Sequence, residues 1–238
     1  LLTFLDQNKF RMRLSKNSIF SFLSGGLICL TACLSIGSSD SEKVMDGRPV
    51  VMSMTSSPDI PASVIFCGKP IDLTRYNMRE GFDREMSSFT YFHSTTMLLI
   101  KRANRYFPVI EPILKANGIP DDFKYLAVIE SHLDPSVSSP ARAVGMWQFL
   151  EGTGKQYGLT VTPTVDERCH VAKATEAACK YLKAAYDKYG DWANVAASYN
   201  AGMGRISGEL TKQEADSTFD LWLVEETSRY VYRIMAIK

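Results

Sequence analysis

Glu130 is an acid placed where an amphipathic helix puts its core. Counting from Phe123, the i+3, i+4 and i+7 positions are Leu126, Ala127 and Glu130, the spacing of a buried stripe. Val128 and Ile129 make its surroundings apolar on either side. A carboxyl held there loses hydration, which disfavours its charged form and raises its pKa. A carboxyl that stays protonated near neutral pH can hand a proton to a leaving group, and its conjugate base can take one back. Spacing alone allows a plainer reading equally well, in which Glu130 is exposed at a helix end or paired with an arginine.

Two further clusters offer groups suited to sugars. Gly145-Met146-Trp147-Gln148-Phe149 combines a flexible glycine, an amide and apolar rings. Aromatic faces pack on the apolar side of a sugar ring, while amides bond hydroxyl and acetamido groups. Core packing is the competing role for Met146, Trp147 and Phe149, and some of them must take it. Ser198-Tyr199-Asn200-Ala201-Gly202 brings a phenol and an amide beside two small residues, where backbone or ligand can approach closely. The same string also reads as a helix stop.

Taken in order, these clusters resemble the lytic transglycosylases of the goose-type lysozyme superfamily, and among them the membrane-bound murein transglycosylase D type. Glu130-Ser131 resembles the family's catalytic Glu-Ser pair, and residues 139–148, Ser-Pro-Ala-Arg-Ala-Val-Gly-Met-Trp-Gln, its second motif. Ser198–Gly202 resembles its Ala-Tyr-Asn-Ala-Gly motif, with serine in the first place. Glu226-Thr227-Ser228-Arg229-Tyr230-Val231 resembles the fourth, which supplies a tyrosine near the acid. The likeness covers about residues 105–238. Arg142 stands where glycine is common, which leaves the local backbone open, and Met146-Trp147 replaces the more usual Leu-Met.

The resemblance implies a mostly α, lysozyme-like domain with a substrate groove and an enzyme acting on peptidoglycan glycan strands. Glu130 is the expected catalytic acid and base, with Ser139, Met146, Gln148, Tyr199, Asn200 and Tyr230 as substrate-binding residues. Two-carboxylate glycosidases are the common pattern, but a single acid suffices where the substrate's own acetamido group stabilises the anomeric carbon. Asp134, just before Pro135, has the turn role as its stronger expectation. The expected product is a 1,6-anhydromuramyl end, formed without water. A hydrolytic muramidase or chitinase on the same fold is the nearest alternative. A wall-binding lipoprotein without activity is the alternative from another class.

The elements that must position these residues are helical. The pattern predicts helices from about residue 82 to a break before Pro108, then over 109–116, with Asn117-Gly118 as a stop. Asp121 and Asp122 open the helix of Glu130, and Asp134-Pro135 closes it near His132. Further helices are predicted over 146–157, 167–188, from the Asp191 cap through Tyr199, over 205–212, and from 221 to the end. Residues 34–81 read as a linker rich in serine, aspartate and proline, with a short strand around 62–67. The alternating pattern of a parallel sheet is absent.

The N-terminal segment reads as an export signal. Lys9, Arg11, Arg13 and Lys16 precede the apolar run 19–32, too short for a comfortable membrane span. Leu30-Thr31-Ala32-Cys33 resembles a bacterial lipobox, making Cys33 the expected lipidation site and residues 1–33 the signal segment. Met12 would open a compact signal directly, so residues 1–11 are read as an upstream artefact of the chosen start. The expected location is the cell envelope, facing the periplasm and lipid-anchored, with the outer membrane favoured. Net charge is +1, and residues 1–32 hold four basic residues against one acidic, so the remainder carries −2. That balance disfavours nucleic acid as a partner. Three histidines without paired spacing make a metal site unexpected, and no cofactor is expected. Cys67, Cys169 and Cys179 lack CxxC spacing and are read as unpaired thiols.

Overall fold

The computed structural model describes residues 57–238, with the backbone of one short antiparallel pair upstream, β1 (Val44–Met45) and β2 (Arg48–Pro49). The export segment, Cys29, Cys33 and residues 34–56, apart from that pair, lie outside the described residues. From Ser57 onward the chain forms one compact unit.

That unit opens with a hairpin, β3 (Ser63–Phe66) and β4 (Lys69–Asp72), with Phe66 opposite Lys69. Its two-residue turn, Cys67-Gly68, has positive φ at both positions, 49° and 79°, the twist that suits a tight hairpin. Phe66 and Leu73 are buried in the core. The Cys67 N–H donates to Asp122 Oδ2 at 2.6 Å, and Lys238 Nζ bridges Ile65 O and Asp122. The last part of the stretch read as linker therefore belongs to the packed body. The short strand expected around 62–67 is β3; β4, where only Ile71 is part-buried, gives too little alternation to show in sequence.

The helices are α1 (Tyr76–Tyr91), α2 (His93–Ala116), α3 (Lys124–Ser131), α4 (Glu151–Gln156), α5 (Val171–Tyr189), α6 (Trp192–Ala201), α7 (Met203–Lys212) and α8 (Glu225–Ile237). Single 3-10 turns stand at Asp121–Phe123, Glu167–Cys169 and Thr218–Asp220. The mostly α reading holds. The break expected before Pro108 falls instead at Phe92, and α2 runs through both Pro108 and Pro112. A proline in a helix deprives the carbonyl four residues earlier of its donor. Here those carbonyls belong to Asn104 and Pro108, both exposed, so water can serve them. Leu99, Ile110 and Leu114 fasten the opposite face to the core.

The helix expected over 146–157 shrinks to α4. Gly145 and Gln148 have φ of 84° and 49°, and Val144 bridges both Ser138 and Phe149 in antiparallel fashion. Residues 138–149 are therefore a folded loop.

At the centre lies α6, capped by Asp191, whose carboxylate accepts from Ala193 N and Asn194 N. Ala193 to Ser198 are all buried, as expected of a helix surrounded on every side. The alanine stripe of α5, Ala174, Ala178 and Ala185 with Leu182, faces this core. Along α8, α1 approaches closely enough that a Cβ on Gly81 would lie 3.0 Å from the Tyr232 ring. Glu85 of α1, 1% exposed, receives two bonds from the Arg229 guanidinium, at 2.6 and 3.2 Å. Cys67, Cys169 and Cys179 are unpaired, as read from their spacing.

Candidate active site

Glu130 sits in the last turn of α3, which His132 ends in the left-handed conformation (φ 53°). Its carboxyl faces a groove of about 830 Å³ between the 138–149 loop, α4, α6 and α8. Protein surrounds the carboxyl on most sides, and this burial raises its pKa from 4.5 to about 7. The Tyr230 hydroxyl donates a hydrogen bond to Glu130 Oε1 and, with the nearby Arg233 charge, pulls the other way. Glu226 adds a smaller upward push. The acid is thus poised near neutrality, where it can both give and regain a proton. Burial first, and the charge of Glu130 next, raise the phenols of Tyr199 and Tyr230 well above their ordinary range, so both stay protonated donors.

Three local devices fasten the 138–149 loop to its neighbours, and the first of them ties it to α3. The buried Ser131 hydroxyl lies 2.9 Å from Met146 O and 3.1 Å from Ala127 O, so its one proton is shared between helix and loop. The Tyr199 hydroxyl donates to Trp147 O at 2.8 Å. Beneath the loop lies Arg168, 7% exposed, which donates to Phe149 O at 3.0 Å and Arg142 O at 3.2 Å while Asp166 neutralises it. Arg142 adopts φ 63°, a left-handed position that a glycine would fill without strain. Gly145 has no such latitude. A Cβ there would lie 2.0 Å from Arg168 O.

Of the residues expected to bind substrate, Ser139, Gln148, Tyr199, Asn200 and Tyr230 line the groove beside Glu130. Met146 does not. Its side chain is fully buried, and only its carbonyl takes part, as the acceptor for Ser131. Trp147 is likewise core, with Nε1 donating to Thr175 Oγ1 at 2.9 Å. The Gln148 amide bonds Gly145 O at 2.9 Å and Val137 O at 3.3 Å, which bends the loop it belongs to. Asn200 is oriented by α8: its Nδ2 donates to Glu226 Oε1 at 3.2 Å, and Thr227 Oγ1 donates to its Oδ1 at 2.8 Å. Asp134 has the turn role, accepting from Ser136 N at 2.9 Å and pairing with Arg102.

The groove also contains residues that sequence reading did not assign to it. Tyr157 and Tyr181 meet edge to face, centroids 5.4 Å apart, and Tyr181 meets Tyr199 at 5.0 Å. With Phe149 they make an aromatic wall. Glu226 and Arg233 line it as well, so a second carboxylate shares the site. Helical spacing could have grouped Glu226, Tyr230 and Arg233 on one face of α8, since they lie four and three residues apart.

Comparison with known proteins bears on the family and the fold. Residues 107–221 match the family model described as the Transglycosylase SLT domain. The chain is 32% identical over 165 residues to membrane-bound lytic murein transglycosylase D of Escherichia coli strain K12, covering 67% of this chain and 36% of that protein. It thus spans about a third of that relative's length. The 70 kDa soluble lytic transglycosylase of Escherichia coli superposes with a TM-score of 0.50 at 21% identity, over 67% of this chain and 28% of that one. An inactive mutant of lytic transglycosylase Slt from Pseudomonas aeruginosa gives 0.50 at 20% identity, over 68% of this chain and 28% of that one. These two likenesses concern the fold. Sequence motifs, helical frame and family match together identify residues 107–221 as a transglycosylase SLT domain.

Proposed function

We propose that this chain is a peptidoglycan lytic transglycosylase that cleaves the β-1,4 bond between N-acetylmuramic acid and N-acetylglucosamine. The observation that carries the reading is Glu130, an acid with a pKa of about 7, bonded by Tyr230 in a groove walled by aromatic rings. Glu130 protonates the glycosidic oxygen as the bond to the anomeric carbon breaks. The acetamido oxygen of the muramyl residue stabilises that carbon. The Glu130 carboxylate then removes the proton of the sugar's 6-hydroxyl, whose oxygen bonds to the anomeric carbon. The acid is regenerated and a 1,6-anhydro ring results. Asn200 and Tyr230 orient the acetamido group, and Ser139, Gln148 and Tyr199 contact the sugars.

Mass spectrometry of products from purified sacculi tests this. Anhydromuropeptides from the wild type and none from Glu130→Gln are expected; activity retained by that variant would remove Glu130 from the mechanism. Glu226 favours a second reading, because a second carboxylate in the groove can activate a water. That hydrolase would leave reducing ends, heavier by one water. The same spectrum separates the two.

The relative's designation as membrane-bound agrees with a cell-envelope enzyme anchored through a lipid on Cys33 and facing the periplasm. No helix among the described residues is long and apolar enough to cross a membrane. Metabolic labelling with a fatty acid, in wild type beside Cys33→Ser, tests the anchor.

A further inference from the structure

Trp222 is the most exposed large apolar side chain among the described residues, with 90% of its surface in water. Leaving an indole there forfeits the gain that burying so large an apolar ring would bring. Its main chain is nevertheless held in place. Gln213 Oε1 accepts from Trp222 N at 2.7 Å, and Gln213 Nε2 donates to Trp222 O at 3.2 Å. The same amide nitrogen donates to Glu209 Oε2 at 2.6 Å, tying the clamp to α7. The ring is thus presented by a fastened backbone.

Beside it lies a depression lined by Arg205, Glu209, Lys212, Gln213, Leu223 and Val224. Arg205 and Lys212 share one face of α7, seven residues apart, and neither is engaged in an ion pair or side-chain hydrogen bond among the described residues. A flat apolar face next to two available cations fits a ligand with an apolar ring face and anionic substituents. A muramyl residue carrying a peptide stem has both. An anionic membrane surface fits less well, because the Glu209 carboxylate sits in the same depression between the two cations, beside the ring and its neighbours Leu223 and Val224.

The depression adjoins the groove along the chain at two points. Trp222 is four residues before Glu226, and Arg205 three residues after Gly202; Glu226 and Gly202 both line the Glu130 groove. Four residues span at most about 14 Å, within reach of a strand lying in the groove. We propose that Trp222, with Arg205 and Lys212, forms a distal subsite that holds the same peptidoglycan strand several sugars from the cleavage point. This rests on the function proposed above and extends it to strand length and peptide content.

The test uses the full chain in a Glu130→Gln background, which removes digestion during binding. Co-sedimentation with sacculi is compared for Trp222→Phe, Trp222→Leu and the parent, while titration with soluble peptide-bearing strands follows the indole fluorescence of the parent alone. Trp147 is buried and Trp192 partly so, so the indole response comes mainly from Trp222. Loss of one stacked ring is expected to weaken binding about 10-fold in Trp222→Leu. Trp222→Phe, which keeps a ring, should retain most of the affinity, and Arg205→Gln with Lys212→Gln should flatten its salt dependence. Equal binding by the leucine variant would overturn the subsite. So would an indole response to anionic lipid vesicles with none to strands. Should the wild type also yield neither anhydro products nor strand binding, the function itself falls with the subsite; normal products with binding indifferent to Trp222 would sink the subsite alone.

Discussion

The Tyr230 hydroxyl donates a hydrogen bond to Glu130 Oε1 across 100 residues of chain. That bond favours the ionised carboxylate, while burial favours the neutral acid, and burial prevails to leave the pKa at about 7. A buried phenol set against a buried acid is therefore a means of adjusting how far the acid rises. It also fixes the direction in which the carboxyl points.

A general acid must carry its proton, so the rate on sacculi is expected to fall as pH rises through about 7. Tyr230→Phe removes a bond to the charged form, and the falling limb should move up by about 1 pH unit. Initial rates measured from about pH 5 to about pH 9 would show it. A limb that stays in place in the phenylalanine variant would mean that Tyr230 does not set the titration.

Stability should follow the same group. The folded pKa of Glu130, about 7, lies above its ordinary 4.5. The neutral acid therefore suits the fold, and stability is lost as pH climbs through that interval. Glu130→Gln cannot ionise, so it should match the wild type near pH 4 and exceed it above pH 7, by an amount on the order of 3 kcal/mol at most. Urea denaturation of both proteins at several pH values measures the gap.

Gly145 is the tightest point of the groove wall. A methyl group there would meet Arg168 O at 2.0 Å with φ at 84°. Gly145→Ala is expected to cost at least about 3 kcal/mol, lowering Tm by roughly 10 °C. Because the wall carries Gln148 and Phe149, sacculus cleavage should fall with it. Thermal melts and rates on one preparation check both.

The buried Glu85–Arg229 pair predicts a loss of stability remote from the groove floor. Glu85→Ala leaves the Arg229 guanidinium, only one-third exposed, with the exposed Glu225 carboxylate 3.6 Å away as its remaining partner, at a cost of up to about 3 kcal/mol. Replacing both partners with leucine should recover much of that, since no charge is then left unpaired. Denaturation midpoints of the single and double variants decide it.

The order of helices was largely legible because caps and stops are local. Asp191 and Asn117-Gly118 act on backbone within a few residues of themselves. Pro108 and Pro112 misled for the same reason. Their effect depends on whether the orphaned carbonyls reach water, which is settled by the face α2 turns to the core. Met146 misled because a motif gives neighbours in sequence but not the side on which each side chain lies; two left-handed residues, Gly145 and Gln148, turn Met146 inward. Tyr157, Tyr181 and Arg168 gave no signal, for they enter the site from separate elements.

By itself the sequence determined that a carboxylic acid occupies an apolar helical stripe, followed by three strings of sugar-compatible residues in a helical chain. Periodicity and capping are short-range properties, and they survive in a one-dimensional reading. Tertiary structure decided what that acid experiences: how deeply its carboxyl is buried, that Tyr230 bonds it, and that Glu226 and Arg233 stand nearby. Desolvation and charge depend on everything within a few ångströms, whatever its place in the chain. The expected chemistry came from the resemblance of the motifs, and what tunes the acid is α8 folding back onto α3.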